Sequence, residues 1–393
     1  MKILFLIQSL QLAGSEKVAF ELIKFLRGRG VDCCLVSLYR SRDALGRSRM
    51  LEELGRRGVE VVELDKDAAP RLGFYRTLRR LNAVVERFRP DVIHAHASVP
   101  NAYAGLRNLW FRKVRTVTTL HSGGDEWTSW KDRLLERLSI RGTDLIVSVA
   151  EHVAELYRGK FSRSRDKLVV IENGVDVGEL AAIPAEEKRR LLAELGVAPG
   201  ELVLTNVARI DPVKNQLFLV EVAERLSAMG LGFRLLLVGN WQDREYAEQL
   251  RRRIREGGLE GRVRLLGSRT DVGKLLRVSD VFLFPSRFEA SPLALLEAIC
   301  VGVPVVCSDI PANRRLTRSA ANGRVLGWDA GAWANRIAEL RLAGKGAAAS
   351  GPAASGPAAD GGRVWSFERT GQQYWALCYE GRAESVRGVD RTG

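Results

Sequence analysis

Short runs of apolar residues alternate along the chain with longer stretches in which apolar and charged positions recur at helical spacing. "KILFLI" precedes a helical stretch from Glu16 to Arg29, "DCCLVSLY" precedes one around Arg49–Arg57, and "VEVVEL" precedes a basic helix from Leu72 to Arg89. "DVIHAHA", "VRTVTTLH", "DLIVSVA" and "KLVVI" add four strands, again with helical segments between them. Strands that are apolar throughout, rather than alternating, are buried on both faces, as in a parallel sheet covered by helices.

The pattern then restarts. "ELVLTNVAR" opens a second series, a helix from Asn215 to Met229 follows, and "FRLLLVGN", "VRLLG", "VFLFP" and "VPVVCSD" continue it. Between the two series, Asn173 to Gly200 holds turn residues and a charged helix and reads as a connector. The expected fold class is α/β, with two tandem doubly wound Rossmann-like domains, 1–172 and 201–364, joined by the linker 173–200. Ligands in such sheets bind beyond the carboxyl ends of the strands, so the expected site is a cleft that the two domains face. The segment 344–363 is low-complexity Ala/Gly/Ser/Pro and reads as a flexible loop. After it, "WSFERTGQQYWALCYEGR" is again helical and aromatic, and the last residues, from about Ala383, are expected to fray.

A length of 393 residues suits two domains of ordinary size. The formal charge of +14 raises the local concentration of anions, whether nucleic acid, an anionic membrane or a phosphorylated substrate. The blander alternative is a merely basic, soluble surface. The five cysteines contain no C-x-x-C pair, and Cys33, Cys34 and Cys307 lie in apolar runs, which fits a reducing compartment. Gln8, Ser9 and Gln11 break the first apolar run too early for a signal peptide, and no apolar run is long enough to span a bilayer. The expectation is a cytoplasmic protein. A G-x-G-x-x-G after a strand and a G-x-x-x-x-G-K-[ST] are both absent, against a nicotinamide dehydrogenase and a P-loop enzyme.

Two acids stand out inside the apolar stretch "FPSRFEASPLALLEAICVGVPVV": Glu289 and Glu297. Ser291 reads as the N-cap of the helix that follows and Pro292 as its first residue. The free amides of that helix start form an anion site, with Glu289 in the loop before it and Glu297 further along the helix. Arg209 and Lys214, in "VARIDPVKNQ", follow a strand of the same domain and suit a diphosphate. The blander alternative makes Glu289 a solvated loop acid and pairs Glu297 with some base. Gly14, in the first strand-to-helix loop, leaves room for a ligand near the backbone. His121 ends "VRTVTTLH" before a glycine pair, where it can touch a ligand or be an ordinary loop histidine. His94 and His96 face one side of a strand, and no Cys/His set completes a metal site around them.

In order and spacing these segments resemble the GT-B-fold retaining glycosyltransferases of family 4, the glycosyl transferases group 1. "FEASPLALLEAICVGVPVV" resembles their E-x7-E motif, "VARIDPVKN" their R-x4-K diphosphate motif, and "LAGSEKVAFELIKFLRGRG" their first loop and helix. "TTLHSG", "DLIVSVAEHV" and "IENGVD" are similar to landmarks of their N-terminal domain. The resemblance implies transfer of a sugar from a UDP- or GDP-sugar donor, with retention and with neither metal nor cofactor. It implies that Arg209 and Lys214 stabilise the leaving diphosphate and that Glu297 binds the ribose. Glu289 would contact the transferred sugar, the backbone at Ser291 and Leu293 the sugar or phosphate, and His121 a sugar hydroxyl. A helix over 365–382 would return to the first domain. Ala13-Gly14 replaces a frequent Gly-Gly, "IPANRRLTRSAANGRVL" lacks another, and the 344–363 insert stands where ordered structure is usual.

The implied acceptor is a glycan or a lipid-linked glycan in cell-surface polysaccharide assembly. Residues 71–89 carry Arg71, Arg76, Arg79, Arg80, Arg87 and Arg89 against one acid, Glu86. Such a face is drawn to anionic lipid, so peripheral attachment to the inner face of a membrane is expected; nucleic acid is not, because no series of stacking aromatics alternates with the arginines. Two other readings stay open: a GT-B-fold nucleotide-sugar epimerase, and a non-catalytic protein that binds anionic surfaces.

Overall fold

The computed structural model describes residues 1–11, 13–41, 43–66, 73–122, 129–241, 243–318, 320, 322–347 and 365–380. Arg71 and residues 348–363 therefore lie outside the described residues. The chain divides into two compact units, Met1–Gly174 with Phe367–Gly393, and Val175–Ser366.

The first unit is built on seven strands: β1 (Lys2–Ile7), β2 (Asp32–Ser37), β3 (Glu60–Glu63), β4 (Val92–His96), β5 (Arg115–Leu120), β6 (Leu145–Ser148) and β7 (Leu168–Val170). They form one parallel sheet in the order β3-β2-β1-β4-β5-β6-β7. Helices α1 (Gly14–Arg27), α2 (Ala44–Arg56), α3 (Gly73–Phe88), α4 (Ser98–Trp110), α5 (Trp130–Gly142) and α6 (Glu151–Lys160) connect them. Ile3 to Ile7 of β1 are fully buried, as a central parallel strand requires. Asp43 caps α2 by accepting from Gly46 N–H at 3.0 Å, and Ser129 caps α5 by accepting from Asp132 N–H at 3.1 Å.

The second unit repeats the plan with β8 (Leu202–Val207), β9 (Phe233–Val238), β10 (Val263–Gly267), β11 (Val281–Phe284), β12 (Val305–Ser308) and β13 (Gly323–Leu326), ordered β10-β9-β8-β11-β12-β13. Its helices are α7 (Ala185–Glu194), α8 (Gln216–Ala228), α9 (Arg244–Glu256), α10 (Val272–Val278), α11 (Leu293–Val301), α12 (Pro311–Thr317) and α13 (Ala330–Ala347). In both sheets the strand order reverses beside the first strand. This makes the β1/β4 and β8/β11 boundaries the places where doubly wound sheets open a ligand crevice.

Three expectations need correction. The segment 173–200 is not a free connector: from Val175 on it belongs to the second unit, with Leu180, Leu191 and Leu195 buried in its core. Gly14 is the first residue of α1 rather than part of the loop, with Ala13 at the cap. Residues 344–347, expected to be part of a flexible loop, are helical instead, because α13 runs to Ala347.

The chain returns to the first unit as α14 (Phe367–Tyr374), continued by a π-helical turn over Trp375–Tyr379. Thr370 Oγ1 donates to the Glu172 carbonyl at 3.0 Å, and Arg29 pairs with Glu368 at 2.8 Å. Gly371 lies flat on Phe25 of α1, where a Cβ would meet the ring at 2.6 Å.

Candidate functional site

In the second unit, two loops meet at the switch point. β8 and β11 are neighbours, so the loop from Ala208 to Asn215 and the loop from Pro285 to Pro292 leave the same edge of the sheet. Asp211 shapes the first loop. Its Oδ1 accepts from the Val213 and Lys214 amides at 3.0 and 3.1 Å. The second loop is laced to the first: Arg287 N–H donates to the Val213 carbonyl at 2.8 Å, and the Arg287 guanidinium to Asn215 Oδ1 at 3.3 Å. Gly239, at the end of β9, has φ 145°, and a Cβ there would lie 2.0 Å from the Ala208 carbonyl oxygen. Only glycine lets these two backbones run so close.

Lys214 Nζ donates to Glu289 Oε1 at 2.7 Å. Their side chains are 17% and 10% exposed, so most of the pair is out of water. The solvated-acid alternative for Glu289 does not hold. Arg209 is different: its side chain is 47% exposed, and its guanidinium lies 3.3 Å from Asp211. It presents a cation to solvent from the same loop as Lys214. Glu297 is buried on α11. The helix starts one residue later than the sequence suggests. Pro292 occupies the cap with no side-chain hydrogen bond, Leu293 is first, and Ser291 precedes the cap. Pro292 at the cap has no side-chain acceptor to offer the amides that follow from Leu293 on.

In the first unit, the carboxyl ends of β4 and β5 gather three histidines. His94 is fully buried between Tyr379 Oη, 2.6 Å from its Nδ1, and Thr119 Oγ1, 2.8 Å from its Nε2. His96 Nδ1 lies 3.0 Å from His121 Nε2. Burial pushes the pKa of His94 and of His121 down to about 3 and that of His96 well below the usual range. All three are therefore neutral near pH 7. Gly14 has open space where a Cβ would stand, so the fold itself does not demand glycine there. Among the described residues no group of three or more His, Cys, Asp or Glu side chains is arranged to hold a metal ion.

Sequence reasoning missed the supporting residues. Asp211, before Pro212, carries a readable turn signal. Arg287 and Asn215 carry none, because their roles depend on which strands are neighbours.

The model of Glycosyltransferase Family 4 matches residues 12–179, and that of Glycosyl transferases group 1 matches residues 187–349. The chain belongs to the GT-B glycosyltransferases. This GT-B glycosyltransferase is 28% identical to EpsF of Bacillus subtilis over 288 residues, 70% of this chain and 71% of that one. It is 29% identical over 273 residues to the UDP-Gal:alpha-D-GlcNAc-diphosphoundecaprenol alpha-1,3-galactosyltransferase of Escherichia coli, 67% of each chain. HepE of Anabaena, solved with UDP and glucose, superposes with a TM-score of 0.80 at 21% identity, over 96% of this chain and 99% of that one. No helix among the described residues is long and apolar enough to cross a membrane.

Proposed function

We propose that this glycosyltransferase is a retaining, metal-independent enzyme. It moves a sugar from a nucleoside-diphosphate sugar, with UDP favoured, to a glycan or lipid-linked acceptor in polysaccharide or glycolipid assembly. The observation that carries this reading is the Lys214–Glu289 pair with Arg209 open to solvent on the same loop as Lys214, at the switch point of the second sheet. As the glycosidic bond breaks, negative charge grows on the departing diphosphate, and fixed cations there lower the barrier. Arg209 and Lys214 are those cations. A diphosphate that takes Lys214 frees Glu289 to accept hydrogen bonds from the transferred sugar. Glu297 would hold the ribose, and the amides at Ser291 and Leu293 the phosphate or sugar; on the first unit, His121 and Gly14 at the start of α1 are the residues proposed to meet a ligand. HepE holds UDP and glucose, and the Escherichia coli relative uses a UDP-sugar with a diphosphoundecaprenol acceptor, which supports the donor and acceptor classes.

Calorimetry with UDP-glucose in the presence of EDTA tests this. Lys214→Ala and Glu297→Ala each remove a charge-assisted hydrogen bond. Each should weaken binding roughly ten- to a hundredfold, at about 1.4 kcal/mol per factor of ten. Unchanged affinity in both variants sinks the assignment.

Peripheral membrane attachment belongs to the same reading. Arg76, Arg79, Arg80, Arg87 and Arg89 are exposed on and just after α3. The first unit also exposes Tyr75, Trp110, Trp130, Leu134 and Leu135 on α3, α4 and α5, among Lys131, Arg133 and Arg137. Aromatic and basic side chains in this mixture suit an anionic lipid interface. Co-sedimentation with vesicles containing phosphatidylglycerol should exceed that with phosphatidylcholine alone, and equal binding removes the idea.

A further inference from the structure

Two neutral imidazoles, His96 and His121, share one hydrogen bond, between Nδ1 of the first and Nε2 of the second at 3.0 Å. A neutral imidazole has one N–H and one bare nitrogen, so two arrangements satisfy this bond. In one, His96 donates from Nδ1, and His121 accepts at Nε2 and carries its own proton on Nδ1. In the other, His121 donates from Nε2, and His96 carries its proton on Nε2.

His96 decides between them. It is 1% exposed, and its Nε2 is buried without a hydrogen-bond partner. The second arrangement strands an N–H there. The first leaves only a lone pair there. Buried N–H groups without a partner are rarer than buried acceptors without one.

The backbone holds this contact against its own preference. Ala97, which follows His96, has φ 77° and ψ 161°. That region is nearly reserved for glycine, and occupying it costs about 1–3 kcal/mol. The turn stays in place because the Thr119 carbonyl accepts from Ala97 N–H at 3.2 Å and from Asn101 Nδ2 at 3.0 Å. The same Thr119 is the register partner of His96 across β4 and β5, and His121 lies two residues beyond it. Strain of this kind collects where side-chain placement matters.

We infer that His96 is a positioning residue that donates from Nδ1 to His121 Nε2. It thereby locks His121 as the Nδ1–H tautomer and leaves that N–H as the donor available to a ligand hydroxyl. The contact itself stands on geometry, while its kinetic consequence rests on the proposed transfer reaction.

Nitrogen-15 NMR of the full chain labelled at histidine, at pH 7.5, reads the tautomer directly, and the signal lost in His121→Gln assigns it. Free neutral histidine in water favours the Nε2–H form, so a native Nδ1–H form at His121 is the expected and diagnostic result. In His96→Phe, His121 should revert to Nε2–H. In His96→Asn, whose side-chain amide can donate in place of Nδ1, the native form should return. A native His121 protonated on Nε2 overturns the inference, and this arm needs no variant of His96 to fold. So does an Nδ1–H form that persists in His96→Phe. For turnover, read as UDP release from UDP-glucose, kcat should fall about tenfold in His96→Phe with KM nearly unchanged, and recover in His96→Asn. A shifted tautomer with unchanged turnover overturns the use of His121 in transfer and leaves the positioning contact standing.

Discussion

Ala97 shows how a single residue can work against its own backbone preference. Glycine at this position removes strain of about 1–3 kcal/mol but adds about 0.5–1 kcal/mol of unfolded-chain entropy. Relief of strain outweighs the added entropy, so Ala97→Gly should stabilise the first unit by about 1 kcal/mol. Its urea midpoint, followed by pulsed labelling of the buried Cys34, should rise, and a fall would show that the turn is not strained. Glu289 teaches the opposite lesson about legibility. Its chemical type was readable from the chain, but its environment was not. Its partner Lys214 is 75 residues away, and only the insertion of β11 beside β8 brings them together.

At the scale of elements, α4 and α5 touch through backbone. A Cβ on Gly105 would stand 2.3 Å from the Ser139 carbonyl oxygen, and one on Gly142 1.9 Å from that of Gly105. Alanine at Gly142 gains helix propensity of about 1 kcal/mol, but the overlap costs about 1–3 kcal/mol and lies against rigid main chain. Gly142→Ala should therefore lower the midpoint of the first unit. Gly159→Ala, on α6 with nothing within 4 Å of its Cβ, should raise it by up to about 1 kcal/mol. Equal responses from the two would refute the close crossing. The strands were legible because a parallel strand covered on both faces is apolar at nearly every position, as β1 and β9 are. Segment 173–200 was not. Leu180, Leu191 and Leu195 anchor it, and the charged residues around them read as solvent-facing. α11 starts one residue past the position its sequence predicts, because Ser291 is a better capping type than the proline that holds the cap.

For the whole molecule, the neutral histidines couple folding to acidity. Their pKa is near 6.5 in the unfolded chain and far lower in the folded one. Between these values the unfolded state binds more protons. Stability is complete above about pH 6.5 and is lost as pH falls toward about 3. At pH 5.5, buried His94 and His96 should each cost the first unit about 1 kcal/mol relative to pH 7.5. Urea titrations at the two pH values, each followed by a labelling pulse at one fixed pH, separate the units. Cys34 and Cys378 report the first and Cys307 the second. The first midpoint should fall more than the second, and parallel shifts would discount the histidines.

The return of the chain as α14 also sets an order of events during synthesis. Phe25 of α1 and His94 of β4 emerge from the ribosome early, but Gly371 and Tyr379, which cover them, come only after all of Val175–Ser366 has been made. At ordinary elongation rates that interval is on the order of ten seconds or more. The first unit must therefore wait, one helix short, while the second forms, and the growing chain carries an open apolar face until α14 emerges.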